Sequence, residues 1–226
     1  MDGKLSIELL DKFIQIHISY LWVVVIIIGV VILFFCRWKK HVFQTLVPVN
    51  VGLKIGGIDI SYKIFRNEQT MYIAHRIYLE LMTRIAAHRV DPKNDMIIEI
   101  YDSWYDLFKA IRSEIKDVPG KNLYYSSTKC EEITNLALDV LNAVIRPHLT
   151  AYQADFRAWW DVRINMQIKA KSDNVISFES PKLIQAEYEK YKEIIEDIQR
   201  VNDILIDFAA QLYKIAYGKP KHGEIN

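Results

Sequence analysis

The amino-acid sequence predicts a mainly α-helical protein with one N-terminal transmembrane helix, a short β-hairpin and a cytoplasmic bundle of about five helices. Three observations carry this reading. Residues 13–36 contain no Asp, Glu, Lys or Arg. Residues 46–65 alternate apolar and polar on both sides of Gly56-Gly57. From Asn67 to Tyr217 the apolar residues recur with the period of a helix.

The charge-free run comes first. As a helix it reaches roughly 36 Å at ~1.5 Å per residue, enough to cross a bilayer core with some tilt. It is longer than the roughly 7–15 residues of a signal-peptide core, and no small-x-small cleavage site follows it. Arg37, Lys39 and Lys40 follow it directly, whereas the preceding twelve residues hold Asp2, Glu8 and Asp11 against Lys4 and Lys12. The positive-inside rule therefore places residues 1–12 outside and the carboxyl side in the cytoplasm, with residues 37–45 as a basic juxtamembrane segment.

Residues 46–65 form the hairpin. Val47, Val49, Val51, Leu53 and Ile55 share one face, and Ile58, Ile60, Tyr62 and Ile64 continue it after the glycine pair. A lone hairpin is marginal in water, so it must pack on helices or on another subunit.

Residues 66–218 form the cytoplasmic helical domain. Asn67 is placed to cap a helix carrying Met71, Ile73, Ala74, Ile77, Tyr78, Leu81, Ile85 and Ala86 inward, with Arg76, Glu80 and Arg84 as an i, i+4 ladder. Asp91-Pro92 ends this unit. Ile97, Ile100, Trp104, Leu107, Phe108, Ile111 and Ile115 point inward from one or two helices over 96–116, which Pro119-Gly120 stops. Thr128 and Glu131 read as a capping box for a helix to about Arg146. Pro147 is expected to break it, with Thr150 capping a second helix from Ala151 to about Ile168. Residues 171–180 read as a loop. Ser180-Pro181 opens a last helix that runs to Tyr217 and ends at Gly218. Its residues Ile184, Tyr188, Tyr191, Ile195, Ile198, Asn202 and Leu205 form a coiled-coil-like seam. Residues 219–226 read as a disordered tail.

Composition narrows the function. Once the cations after the apolar run are set apart, the rest of the chain is close to neutral, so it cannot coat a polyanion by bulk charge. The two cysteines, Cys36 and Cys130, imply no disulfide framework and suit a reducing compartment. No nucleophile elbow, phosphate loop, dinucleotide fingerprint or zinc spacing occurs, and the six histidines include no HxxxH pair. The chain therefore reads as a non-enzyme with no catalytic residue, metal or cofactor.

Two constellations remain. In the apolar run, Gln15, Ser19, Trp22, Ile26 and Gly29 follow one another at helical seam spacing. Polar and small residues on one seam suit helix association in lipid. In an oligomer they are candidate pore-lining residues, polar outside and apolar inside; in a monomer the helix is a plain anchor. The second constellation is residues 142–163, where Arg146, His148, Gln153 and Arg157 surround the proline break. Freed backbone donors beside Arg and His attract anions. With Tyr101, from the aromatic cluster Tyr101, Trp104, Tyr105 and Phe108, these four are the candidate ligand-binding residues. The bland alternative pairs the arginines with nearby aspartates and puts the aromatics, Trp159 and Trp160 included, in the core. Arg76, Arg84 and Arg89 form an alternative basic strip.

Four segments, "KIGGIDISYKI", "AHRIYLELMTRIA", "DMIIEIYDSWYDLFKAIR" and "IRPHLTAYQADFRAWW", resemble the membrane effectors of Hailong-type anti-phage defence, a family of small prokaryotic single-pass membrane proteins. The resemblance covers about residues 50–165 and the placement of the membrane helix. It implies a homo-oligomeric channel, tetrameric in the family's pattern, in the bacterial inner membrane. It also implies a functional partner nucleotidyltransferase, whose single-stranded DNA oligomers hold the channel closed until infection removes them and abortive depolarisation follows. It supplies no ligand residues. An adaptor anchored in the lipid bilayer, recruiting a soluble partner through residues 181–217, is the alternative reading.

Overall fold

The computed structural model describes residues 4–5, 18–46, 48–120, 130–172 and 179–218. The chain divides into two compact units, residues 1–47 and 48–226.

In the first unit, β1 (Lys4–Leu5) pairs antiparallel with β2 (Ile18–Ser19), Lys4 opposite Ser19. Helix α1 (Tyr20–Leu46) follows at once. This corrects the expected span over 13–36, because Ile18 and Ser19 are extended and pair as a strand, so the helix starts at Tyr20. Helix α1 continues through Arg37, Lys39 and Lys40, so the basic segment after the apolar run is helical. The charge-free part of α1, residues 20–36, is roughly 26 Å long, short of the ~30 Å bilayer core. Among the described residues, no helix is long and apolar enough to cross a membrane. From Trp22 to Cys36 the side chains of α1 are nonetheless apolar on every side, and its large ones are mostly exposed, from Phe35 at 49% to Phe34 at 72%, with Val23 half-buried.

The second unit is built on a hairpin and a helical cluster. Strands β3 (Pro48–Ile55) and β4 (Ile58–Phe65) pair in the register Ile55↔Ile58, Leu53↔Ile60, Val51↔Tyr62 and Val49↔Ile64. Gly56 and Gly57 turn the chain with φ of 59° and 85°, the left-handed pair that a tight hairpin turn requires. Val51, Leu53, Ile55, Tyr62 and Ile64 are buried, as the alternation demands. Ile58 beside the turn is exposed.

Helix α2 (Glu68–Met82) is capped by Asn67, whose side-chain oxygen accepts the Thr70 N–H at 2.8 Å. It stops four residues earlier than its apolar period suggests. Thr83 ends it, with its hydroxyl donating to the Leu79 carbonyl at 2.8 Å, and a single 3₁₀ turn, Ile85–Ala87, follows. The core period carries on through that turn, because Ala86 and Ala87 are buried. Helix α3 (Ile97–Lys116) is one helix, with Ile97, Ile100, Tyr101, Trp104, Leu107 and Ile111 buried.

The expected break at Pro147 is absent. One continuous helix spans residues 131–172: α4 (Glu131–Asp139), a π-helical turn Val140–Ile145, α5 (Arg146–His148), a second π turn Leu149–Gln153, and α6 (Ala154–Ser172). Proline lacks the N–H for an α-helical bond and its ring clashes with the carbonyl four residues back. Widening the turns resolves both problems. The Arg146 N–H bonds five residues back, to the Leu141 carbonyl. Backbone at Ile145, Arg146, His148 and Leu149 stays in the right-handed helical region, so Thr150 begins no new helix. Thr128 lies outside the described residues, and Cys130 occupies the N-cap position, its sulfur accepting from the Thr70 hydroxyl at 3.7 Å rather than capping the helix.

The last helix is also redrawn. Helix α7 (Pro181–Gln185) is one short turn with proline at its start. Turns over 186–190 separate it from α8 (Tyr191–Tyr217). Gly218 closes α8 at φ 73°. Helix α8 is the centre of the unit: α2, β3 and the 3₁₀ turn pack on it. Ile195, Ile198, Asn202 and Leu205 of the predicted seam are buried in this core, with Val201, Phe208, Leu212 and Ile215 extending it. The seam therefore packs within the chain.

Candidate functional site

Two of the sequence candidates meet inside the protein. The His148 ring sits 5.6 Å from Tyr101, 5.2 Å from Trp104 and 5.1 Å from Tyr152, centroid to centroid. Helix α3 brings Tyr101 and Trp104, one turn apart, and the π-distorted helix brings His148. All three are essentially inaccessible to solvent. The His148 Nδ1–Asp197 Oδ2 distance is 2.7 Å, and the other carboxylate oxygen accepts from Arg200 Nε at 2.7 Å. His148 Nε2, Tyr101 Oη and Trp104 Nε1 are buried with no hydrogen-bond partner among the described residues.

Burial sets the charge here. It pulls the His148 imidazole below its ordinary value, Asp197 pulls it up, and burial prevails. Neutral His148 thus donates from Nδ1–H. Burial pushes the Asp197 carboxyl up, but the bonds from His148 and Arg200 outweigh it and hold it low. Burial also raises the Tyr101 phenol. Tyr152 is pushed up to about 12, chiefly by donating its hydroxyl proton to Glu193 at 2.8 Å.

The other candidates lie outside this cage. Arg157 is ion-paired with Asp102 on α3. Gln153 is half-buried at the end of the second π turn. Arg146 is exposed and lies over the Phe108 ring, 5.6 Å from its centroid. The expected single pocket is therefore not formed. His148 and Tyr101 are enclosed, Arg157 is neutralised, and continuous helix replaces the freed donors. Trp159 and Trp160 pack on Phe156 at 5.9 and 6.1 Å, and Trp159 also on Tyr188 at 5.1 Å. The alternative strip is largely neutralised: Arg76 pairs with Glu114 at 2.7 Å and Arg84 with Glu80 at 2.9 Å, while Arg89 is exposed. Of the pore-lining candidates, Gln15 lies outside the described residues and Ser19 is in β2. Trp22, Ile26 and Gly29 do lie on α1 at seam spacing, with Trp22 and Ile26 exposed.

A different basic face emerges beside Arg146. Tyr105, Lys109, Arg112 and Lys116 recur at i, i+4, i+7 and i+11 on α3, and all four are exposed. Lys109 lies over the Tyr105 ring at 4.7 Å and pairs with Asp106 at 2.6 Å. Among the described residues, Arg112, Lys116 and Arg146 make no ion pair. Unpaired cations interleaved with exposed aromatic rings can hold phosphates and stack bases. Sequence reading missed this face, although its helical spacing was there to find; it weighed Tyr105 with the core aromatics instead. Among the described residues no cluster of His, Cys, Asp and Glu could hold a metal ion.

No family model, curated protein or solved structure matches this chain.

Proposed function

We propose that the chain is a membrane effector that oligomerises into an ion-conducting channel, gated through its helical domain by a nucleotide or single-stranded DNA, in anti-phage defence. The observation that carries this reading is α1. A helix apolar on every side and largely exposed along residues 22–36 needs lipid or copies of itself around it. A charge-free stretch slightly shorter than the bilayer is accommodated by local thinning or by oligomerising. The face of Arg112, Lys116, Arg146 and Tyr105 supports the ligand part, because a near-neutral domain needs a focused cluster to hold an anion. Burial of the α8 seam leaves only the outer faces of residues 181–217 for the partner that the adaptor reading requires.

Native mass measurement of the full chain extracted in detergent, followed by conductance in planar bilayers, tests the proposal. An oligomer that conducts, and whose conductance shifts on Ile26→Asn, is expected. A detergent-extracted monomer sinks the channel, and function retained after exchanging α1 for an unrelated anchor points to the adaptor.

A further inference from the structure

The sequence places Pro147-His148 between two π turns, and this arrangement has a second consequence that does not depend on the proposed function. π turns inside a helix are rare and occur frequently at functional sites. Here two of them flank a three-residue segment, α5. His148 is the buried residue of that segment, and its bond to Asp197 ties the segment to α8.

We propose that His148 is an acid-sensitive latch that holds this double-π register closed, and that charging its imidazole loosens residues 140–153 from α3 and α8. The geometry supplies the mechanism. The titratable and charged groups facing His148 are Tyr101 from α3, Tyr152 from its own helix, and Asp197 and Arg200 from α8, with Glu193 behind Tyr152. The Asp197 carboxylate is shared with Arg200, so its pull on a charged imidazole is divided. On the far side, Nε2 has no hydrogen-bond partner among the described residues and Trp104 offers only a donor. A proton added at Nε2 therefore places a cation in an aromatic cage with one half-committed counter-charge. The sign follows. A folded-state imidazole held below its ordinary value contributes stability that is full above that value and is lost as pH falls through the folded one. The low Asp197 carboxyl works in the same direction, further toward acid.

Hydrogen exchange of the full chain in detergent micelles reads the latch directly. Corrected for intrinsic rates, opening of amides in 140–153 should grow by up to roughly tenfold per pH unit below about pH 6.5, ahead of the α2 and α8 amides. His148→Phe, which fills the cage without a titrating group, should leave the opening flat with pH. The same pH rise in His148→Phe, or a flat profile in the wild type, overturns the proposal. Should His148→Phe fail to fold, nitrogen-detected NMR titration of the wild type decides. An imidazole titrating at or above its ordinary value overturns the latch, and one titrating below it in step with the loss of protection supports it.

Discussion

The Asn202 amide donates to the Ala86 carbonyl at 2.8 Å, deep inside the helical domain. The same nitrogen donates to the His88 carbonyl at 2.8 Å, and Asn202 Oδ1 accepts the Val90 N–H at 3.3 Å. One side chain on α8 thus satisfies three backbone groups of the segment that leaves α2. That segment has no regular ladder of its own past the 3₁₀ turn, so its buried polar groups need partners elsewhere. Replacing Asn202 with Leu keeps the volume but orphans all three. We expect Asn202→Leu to cost about 2–4 kcal/mol in denaturant unfolding. A loss below about 0.5 kcal/mol would show that the segment finds other partners.

Gln185 plays the matching part at the start of α3. Its side-chain oxygen accepts the Ile97 N–H at 3.0 Å and its nitrogen donates to the Asp95 carbonyl at 3.0 Å. Met96, in the N-cap position, contributes no side-chain bond, so α3 takes its cap from α7. Gln185→Ala should lower stability by about 1–3 kcal/mol. Gln185→Glu keeps the acceptor but sets a carboxylate against the Asp95 carbonyl, and should recover only part of that loss. Equal stability of both variants and the wild type would dismiss the cap.

These two residues show what was legible in the sequence. The hairpin, the Asn67 cap, the inward face of 96–116 and the α8 core face all follow from period, glycine pair and cap, which are local signals; that 96–116 is one helix and not two is settled only by the fold. What failed was long-range. Asn202 reads as a polar interruption of an apolar seam, and only the folded chain shows the three groups it serves. Pro147 reads as a break because a lone segment cannot show that the helix will widen instead. His148 reads as an anion contact beside donors freed at the proline, but the helix is continuous there and the imidazole is buried instead. Its partner Asp197 is 49 residues away and no spacing points to it. The Arg112 face was readable, but it was masked by the aromatic cluster on the adjacent side of α3.

Gly218 gives a sharper test of local geometry. Its φ is 73°, and a Cβ there would lie 2.4 Å from a guanidinium nitrogen of Arg66. That guanidinium caps α8, with Nε donating to the Ile215 carbonyl at 2.7 Å and Nη2 to the Ala216 carbonyl at 3.3 Å. Gly218→Ala should therefore cost about 1–2 kcal/mol from the left-handed backbone and the displaced cap together. In an Arg66→Ala background the same change should cost less, by roughly 0.5–1 kcal/mol, because the steric part is gone. Strict additivity in the double-mutant cycle would mean that Arg66 swings aside freely.

The basic face on α3 makes the prediction that bears most directly on the ligand. Arg112 and Arg146 come from different helices, and both flank the half-buried Phe108 ring: Arg146 lies over it and Arg112 follows it by one helical turn. Neither has a carboxylate to neutralise it among the described residues, unlike Arg76, Arg84 and Arg157. If a single-stranded oligonucleotide binds here, each arginine neutralises about one phosphate. Arg112→Gln and Arg146→Gln should each weaken binding and flatten the dependence of log affinity on log salt by roughly 0.7. Tyr105→Ala should weaken binding at every salt concentration without changing that slope, because stacking releases no counterions. Arg84→Gln serves as the control, since its charge is already spent on Glu80 and Asp106. Fluorescence anisotropy with a labelled oligonucleotide across a salt series measures all four. A slope that moves with Arg84 and stays fixed with Arg112 and Arg146 would transfer the site to the α2 strip.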